Sequence, residues 1–479
     1  MLRCRSRIHS VGACAWSLSR VAIVVAALPC TVGLVQLDSD TGGPASAPTL
    51  ADVVVIGAGI IGAAVALELA RGGRSVVCVD QGPGPGAGST SASSALIRFC
   101  YSTIDGVLTA WESALYWRDW AGYLGVTDPD GMASFIRTGM LIFDAPDGTM
   151  PRVTALWDEV GVPYERLDAT AIGQRFPALD VGSYFPPKTI DDPAFGDDAI
   201  AQLDAVYDPN AGYIDDPLLA AHNIAHAARH HGAQFRFHQR VVGVLRDAER
   251  VTGVQMADGS RIDAPVVVNA AGPHSSAINA LAGVTADMRI GHRSLRQEVF
   301  AVPGPAALAL ERGAPIVVDL DIGQYFRPQP GGTLLVGGTE AECDLLEWID
   351  DPDHFDDHPT VEKFEITMLR LARRVPSFGV PSQPVGLAAL YDVADDWVPI
   401  YDGSNLRGWF MACATSGNQF KNAPLAGKFM KALIDAADAG RDHDRSPVSV
   451  MGELTGRTIH LEAFSRRRDP ASTSGTVMG

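Results

Sequence analysis

The sequence predicts an α/β protein with a parallel sheet that begins near residue 52 and a mostly antiparallel sheet in its middle. An apolar run, DVVVIG, is followed by an Ala- and Leu-rich stretch to Arg71 and by a second apolar run, SVVCVD, at residues 75–80. This order is typical of a strand, a helix and a second, parallel strand. Closely spaced strand-like runs between residues 297 and 340 predict the antiparallel sheet.

The other elements follow from local patterns along the chain. GMLIFD at residues 139–144 indicates a strand, and residues 216–233 indicate a capped helix that ends at a glycine. Residues 235–272 contain three strand candidates. Residues 361–375 have the apolar spacing of an amphipathic helix, and residues 408–436 indicate a strand, a turn and a helix.

Composition excludes some classes of protein. The chain has 479 residues, of which 47% are hydrophobic, a length that suggests roughly two to three domains. Its 56 acidic and 38 basic residues argue against nucleic-acid binding, which requires a basic face. Seven scattered cysteines with no CxxC pair argue against a disulfide framework or a zinc site. We therefore expect a reducing compartment and a cytoplasmic protein.

Residues 1–50 differ from the rest of the chain. Three arginines and no acidic residue open this segment, and residues 21–37 are largely apolar. Such an order indicates a presequence, a membrane anchor or an over-extended start. The alternatives to a cytoplasmic location are therefore the mitochondrial matrix or a membrane-associated protein, with membrane contact through residues 21–37 only.

A glycine motif, Gly57-Ala58-Gly59-Ile60-Ile61-Gly62, joins the first predicted strand to the first helix. In this context the first glycine allows a tight turn, the second lets the backbone approach a pyrophosphate, and the third packs helix against strand. Asp80 ends the next strand, where an acidic side chain binds ribose hydroxyls and disfavours a 2′-phosphate. The pattern predicts dinucleotide binding.

The segment after residue 80 differs from that expected of an NAD-dependent enzyme. An NAD-dependent oxidoreductase nevertheless stays an alternative. Instead of further strand–helix repeats, residues 82–95 are almost all glycine, serine, alanine or proline. Small residues let the backbone come close to a ligand. Arg98 follows them and suggests an anion to be held.

Two further patterns predict no ligand site. His222, His226 and His230 recur every four residues on one helix, but no cysteine or carboxylate completes a metal site, so we expect no metal. The basic run at residues 466–468 is interpreted as the end of a helix.

Five separated motifs together resemble the D-amino-acid-oxidase-like superfamily of FAD-dependent oxidoreductases, nearest to its glycine oxidase, sarcosine oxidase and dimethylglycine dehydrogenase branch. They are GAGIIG with its acidic residue, GxGSTSxSSxxxR, VVNAAGPHS, YFRPxPGG and SGxxFKxAP, and they cover about residues 51–465. The resemblance implies a Rossmann-like FAD-binding domain of discontinuous segments, 51–105, 195–290 and 385–465. It also implies an inserted, mostly antiparallel sheet substrate domain, 106–194 and 291–384. Residues 466–479 are predicted to be a disordered tail.

The resemblance also implies which residues contact FAD. They are Gly57, Gly59, Ile60, Ile61, Gly62 and Asp80 at the ADP part, Ser89, Thr90 and Ser91 at the pyrophosphate, Val241 at the adenine, Ala271 and Gly272 along the backbone, and Gly417, Asn418, Gln419 and Phe420 beside the flavin. Ala92 and Ala389 stand where covalently flavinylated relatives have histidine and cysteine, which implies noncovalent FAD.

For the substrate, the resemblance implies that Arg98 and Lys421 clamp a carboxylate, with Tyr101 and Tyr325 lining the pocket. The implied reaction oxidises an amino acid or N-alkylated glycine by hydride transfer to flavin N5, giving an imine that hydrolyses. The electron acceptor is oxygen or a carrier protein, and Leu335, where an oxygen-activating lysine is expected, favours the carrier. A flavin-binding assembly or chaperone-like protein of the same fold is the alternative. Arg98 in a structural salt bridge and Lys421 on a solvated surface are the alternatives for the two cations.

Overall fold

The computed structural model describes residues 49–479. The predictions of a presequence, an anchor or an over-extended start therefore fall almost wholly outside the described residues. Within residues 49–479, no helix combines the length and the apolar character needed to cross a membrane.

A six-stranded sheet forms one half of the fold. Its strands, in spatial order, are Gln234–Arg236, Val76–Val79, Val53–Ile56, Val266–Asn269, Trp409–Cys413 and Ile400–Asp402. Neighbouring strands pair in parallel except at the last edge, where Ile400–Asp402 runs antiparallel to Trp409–Cys413. This arrangement confirms the parallel sheet predicted from the opening of the sequence.

Both faces of this sheet are buried, as the continuous apolar strands require. Val53 and Val55 face a helical layer, and Val54 and Ile56 face the opposite layer. The helical layer contains Ile60–Arg71, Pro217–His230 and Ala423–Asp438. The opposite layer contains helix Ser275–Ala282 and a four-stranded sheet of Thr49–Leu50, Arg261–Asp263, Val251–Met256 and Val241–Arg246.

A nine-stranded, mostly antiparallel sheet forms the other half. Its strands, in order, are Glu347–Ile349, His292–Pro303, Thr333–Gly338, Gln324–Gln329, Ile316–Asp319, Met140–Phe143, Ala205–Asp208 and Glu165–Leu167, with Gly386–Ala394 also paired to His292–Pro303. Helix Val361–Arg374 packs on one face through Phe364, Met368 and Leu371. The opposite face, which includes Tyr325, joins the core that surrounds helix Ile60–Arg71.

Smaller elements connect the two halves. The remaining helices are Ile104–Arg118, Trp120–Leu124, Thr149–Val160 and Ala169–Arg175. The remaining strands are Leu96–Ile97, Gly212–Ile214 and Phe135–Ile136 in one sheet, Gly182–Ser183 with Ala201–Gln202, and Ser449–Met451 with Thr458–His460.

The predicted domain segments differ from the sheets at two places. Strand Ala205–Asp208 lies in the large sheet although the segment 195–290 was assigned to the FAD-binding domain. Strand Gly386–Ala394 likewise lies in the large sheet, beside His292–Pro303. Each strand is a short segment whose residues do not indicate which sheet it joins, so the sequence alone could not assign either strand to a domain.

The prediction of a disordered tail over residues 466–479 is corrected by the structure. Arg466 is buried and forms ion pairs with Asp287, Asp402 and Asp444, rather than ending a helix. Val477 and Met478 are also buried. Charge pairing at one end and apolar burial at the other hold this segment against the rest of the protein.

Candidate functional site

The glycine motif packs tightly against the residues that follow the neighbouring strand Val266–Asn269. Gly57 has a φ of +102°, and a Cβ there would stand 2.3 Å from the carbonyl oxygen of Ala270. A Cβ at Gly62 would stand 1.8 Å from the carbonyl oxygen of Gly57. The carboxylate of Asp80 accepts hydrogen bonds from the backbone of Ala58 at 2.6 Å and of Gly82 at 2.7 Å. No larger residue fits at either glycine without moving backbone.

The helix that follows has a glycine as its N-cap residue and receives a side-chain hydroxyl from the small-residue loop instead. Gly59 is its N-cap residue, and the Thr90 hydroxyl accepts from the backbone of Ile60 at 3.0 Å. The small-residue loop therefore lies beside the helix N-terminus, with the Ser89 hydroxyl donating to Leu390 O at 2.7 Å and that of Ser91 to Gly88 O at 2.9 Å. A helix N-terminus lined by glycine and hydroxyl groups fits a pyrophosphate.

The other residues expected near the ADP part lie at neighbouring strand ends. Ala271 and Gly272 directly follow strand Val266–Asn269, and Gly272 has a φ of +57°. Ile61 is buried in the first helix. Val241 is buried at the start of its strand in the four-stranded sheet. The contact of these residues with the ADP part of FAD stays a prediction.

Arg98 lies deep in the protein, with 4% of its surface exposed. Its guanidinium donates to backbone carbonyls of Cys100, Val477 and Met478. Among residues 49–479, no carboxylate lies within salt-bridge distance of Arg98. The cation is therefore held by carbonyl oxygens, and the alternative of a structural salt bridge is not what is observed.

Lys421 is also buried, with 2% exposed, so the alternative of a solvated surface lysine is excluded. Its Nζ donates to Asn418 O at 2.8 Å. Nζ of Lys421 lies 4.8 Å from the centre of the Tyr101 ring, and Cζ of Arg98 lies 5.4 Å from the same centre. Burial, reinforced by the like charge of Arg98, holds the pKa of Lys421 well below its usual value.

The segment around Lys421 forms a hydrogen-bonded wall. Tyr101 donates its hydroxyl to Asn418 O at 2.6 Å, and burial raises its pKa to about 12. Gln419 accepts from the hydroxyl of Tyr401 at 3.1 Å, which fixes its side chain. Phe420 stacks on Trp117 with ring centres 5.7 Å apart.

Gly417 and Tyr325 define two further sides of this space. Gly417 has a φ of +67°, and a Cβ there would stand 2.4 Å from the ring of Tyr391. The hydroxyl of Tyr325 lies 2.6 Å from that of Ser94, which joins the large sheet to the small-residue loop. The structure thus brings Arg98, Lys421 and Tyr101 into direct proximity and places Tyr325 on the neighbouring sheet.

Glu340 is a residue of this region that the sequence analysis missed. Its side chain is 8% exposed, and its Oε2 accepts from the backbone N–H of Val477 at 2.8 Å. Its Oε1 is buried and has no hydrogen-bond partner among residues 49–479. Burial raises the pKa of Glu340 to about 7. No local pattern marks it, because its contacts come from a segment far away in the chain.

Metal-ligating atoms come together at two places within residues 49–479. One is the buried group His292, Asp392 and Cys413, and the other is an exposed group at residues 356–358. The helical histidines considered above belong to neither group. In the buried group His292 already bonds Asp392, so its atoms are satisfied without an ion.

Comparisons with known proteins agree with this architecture. Residues 52–433 match the profile of the DAO family, described as FAD dependent oxidoreductase. The chain is 24% identical over 465 residues to "FAD-dependent oxidoreductase domain-containing protein 1" of Xenopus laevis, covering 88% of this chain and 83% of that protein. It is 22% identical to the mitochondrial pyruvate dehydrogenase phosphatase regulatory subunit of Mus musculus, covering 80% of this chain and 41% of that protein.

Solved structures share the fold at low identity. L-Proline dehydrogenase from P. horikoshii superposes with a TM-score of 0.66 at 23% identity, covering 83% of this chain and 95% of that one. Glycine oxidase from Geobacillus kaustophilus superposes with a TM-score of 0.65 at 21% identity, covering 83% and 98%. Both of these solved structures therefore share the overall fold of this chain.

Proposed function

We propose a function from one premise: the chain belongs to the DAO family of FAD-dependent oxidoreductases. Its substrate is a small amino acid or an N-alkylated glycine, oxidised at the C–N bond. The observation that carries this proposal is the proximity of two buried cations to one ring: Cζ of Arg98 lies 5.4 Å and Nζ of Lys421 4.8 Å from the centre of Tyr101. Within residues 49–479 neither of these buried cations has a carboxylate at salt-bridge distance, and such a pair suits a small anionic ligand.

The residues proposed to hold FAD are those of the glycine motif, the small-residue loop and the segment 417–420. The crowded glycines and the helix N-terminus that begins at Gly59 support this role, since both permit a close pyrophosphate. Ala92 and Ala389 offer no atom for a covalent bond, so the cofactor is held noncovalently. When bound, FAD accepts the two electrons of the reaction and delivers them to oxygen or to a carrier protein.

The protein's own part in the reaction is to bind and orient the substrate. Arg98 grips the carboxylate, which its planar guanidinium can do through two hydrogen bonds, and Lys421 adds a second charge. The amine loses a hydride from carbon and a proton from nitrogen. Water then adds to the resulting imine, which yields a carbonyl compound and a free amine. The buried surroundings strengthen the hold on the carboxylate.

The test is anaerobic bleaching of the yellow protein by a panel of D-, L- and N-methyl amino acids. We expect the 450-nm region to bleach with at least one member, and we expect Arg98→Ala and Lys421→Ala to lose affinity by about tenfold or more. Arg407→Ala serves as the control, because Arg407 is exposed and remote from the cations. A colourless protein with bound NAD would contradict the proposal.

One observation favours a second candidate, a flavin-binding assembly or chaperone-like protein. The chain is similar to a regulatory subunit, although it spans 41% of that protein. Such a protein would bind FAD and yet give no bleaching with any amine, and Arg98→Ala would change nothing. The cytoplasmic location stays a prediction, because the segment that would direct the chain elsewhere precedes the described residues.

A further inference from the structure

Both the backbone N–H and the backbone carbonyl oxygen of Val477 form hydrogen bonds with side chains of the candidate site. Its N–H donates to Oε2 of Glu340 at 2.8 Å, and its carbonyl oxygen accepts from Nη2 of Arg98. Glu340 and Arg98 are both more than nine-tenths buried. An acidic and a basic side chain therefore bind the nitrogen and the carbonyl that flank a single α-carbon.

The side chain of Val477 occupies a third, apolar subsite. It belongs to a small buried cluster with Leu295, Val393 and Trp397. Because Val477 is an L residue, the two hydrogen bonds and this cluster together fix one handedness around its α-carbon. Exchanging the side chain with the α-hydrogen would turn the apolar group away from the cluster.

A free amino acid carries the same three groups on one carbon and suits these partners better than a peptide does. A carboxylate can make a charge-assisted pair with Arg98, which a neutral carbonyl cannot. An ammonium has three donors where a peptide N–H has one. The second oxygen of Glu340, which is buried without a partner, could then accept a hydrogen bond.

We propose that this site selects an L-α-amino acid with an apolar side chain, bound through its amine to Glu340 and through its carboxylate to Arg98 in the pose of Val477. The inference rests on the proposed function and narrows it, since an N-alkylated glycine has no side chain for the apolar cluster. Residues 477–479 leave this position when the substrate binds.

The test measures binding to the FAD-loaded full chain through the shift of its visible absorption band. Two ligands are compared: α-methyl-L-valine, which has an amine but no α-hydrogen and so is not oxidised, and 3-methylbutanoate, which lacks the amine. We expect Glu340→Gln to raise the Kd of α-methyl-L-valine about tenfold or more and to leave that of 3-methylbutanoate within about twofold. Glu342→Gln is the matched control, because it removes the same charge from an exposed side chain two positions away.

The outcomes separate this inference from the proposed function. An equal change for both ligands in Glu340→Gln, or no change for either, would overturn the role of Glu340. Binding of α-methyl-D-valine as tight as that of its L isomer would overturn the assigned pose. If Arg98→Met leaves 3-methylbutanoate binding intact, the carboxylate clamp of the proposed function is wrong, and the inference fails with it. If Glu340→Gln does not retain FAD, Glu340→Asp is measured instead, because it keeps the negative charge. The Glu340→Asp variant must then still bind α-methyl-L-valine in preference to 3-methylbutanoate.

Discussion

Nδ1 of His292 lies 2.6 Å from a carboxylate oxygen of Asp392, and both side chains are almost fully buried. The other carboxylate oxygen of Asp392 accepts from the backbone of Ala414 at 2.6 Å. Ala414 has a φ of +55° and begins the segment that leads to Gly417. The pair therefore fixes the start of the segment proposed to contact the flavin.

Asp392→Asn is expected to lower the free energy of unfolding by about 3 kcal/mol or more, since it breaks a buried charged pair. Burial disfavours the charged imidazole, but the Asp392 carboxylate outweighs it and raises the pKa of His292 from 6.5 to about 11. The stabilisation that the His292–Asp392 pair gives the folded protein is therefore complete below pH 6.5 and is lost as the pH rises through about 11. Urea unfolding at several pH values measures it.

Asp351→Asn provides the comparison for that experiment. Asp351 pairs with His354, whose side chain is 83% exposed, so its loss should lower the free energy of unfolding far less than the loss of Asp392 does. Equal losses in the two variants would contradict a special role for the buried pair.

Gly57→Ala is expected to abolish FAD binding. The new methyl group would meet backbone atoms of Ala270 and Ala271 at 2.3–2.9 Å, and backbone cannot move aside as a flexible side chain can. Gly73→Ala is the control: its φ of +86° carries a similar strain of about 1–2 kcal/mol, but no atom lies within 4 Å of its Cβ. The ratio of visible to ultraviolet absorbance after purification reports bound FAD, and normal FAD content in Gly57→Ala would refute the assignment.

The preference for an amine is expected to depend on pH. Since burial raises the pKa of Glu340 to about 7, its charge appears as the pH rises through that value. The affinity ratio of α-methyl-L-valine to 3-methylbutanoate should therefore increase from about pH 6 to about pH 8. Titration of Lys421 affects the common carboxylate and cancels in the ratio. If the ratio rises equally with pH in Glu340→Gln, a group other than Glu340 causes the pH dependence.

Val477→Asp is expected to tighten ligand binding. A carboxylate inside the apolar cluster is unfavourable, so the segment should leave and stop competing for Arg98 and Glu340. The apparent Kd of 3-methylbutanoate should fall by severalfold. Ser472→Asp places the same charge on an exposed part of this segment and should leave the Kd unchanged. An unchanged Kd in Val477→Asp would show that the segment does not compete.

Sequence patterns anticipated the parts of the fold that local chemistry dictates. The strand Val53–Ile56, the glycine motif and helix Val361–Arg374 follow from apolar runs, crowding and spacing over a few residues. Arg98 and Lys421 were found because each stands in a short motif. Their convergence on Tyr101 could only be inferred from the resemblance, since they are separated by most of the chain.

Residues whose role depends on distant partners escaped the sequence. His292 lies on one strand and Asp392 on its antiparallel partner, two positions from being directly opposite, because the register pairs His292 with Ala394 and Asp392 with Ser294. Glu340 meets residue 477, and neither position carries a local signal. The segment 466–479 was predicted to be disordered because its composition is polar. Its order comes from the acids around Arg466 and the cluster around Val477.

The strand order of the six-stranded sheet has a consequence for biosynthesis. Strand Val266–Asn269 pairs on one side with Val53–Ile56 and on the other with Trp409–Cys413. The sheet therefore stays incomplete until strand Trp409–Cys413 has left the ribosome. At ordinary translation rates the first strand waits roughly 20 to 70 s for that event. During this time an apolar edge is uncovered, and nascent chains interrupted before Trp409 should depend on chaperones to avoid aggregation.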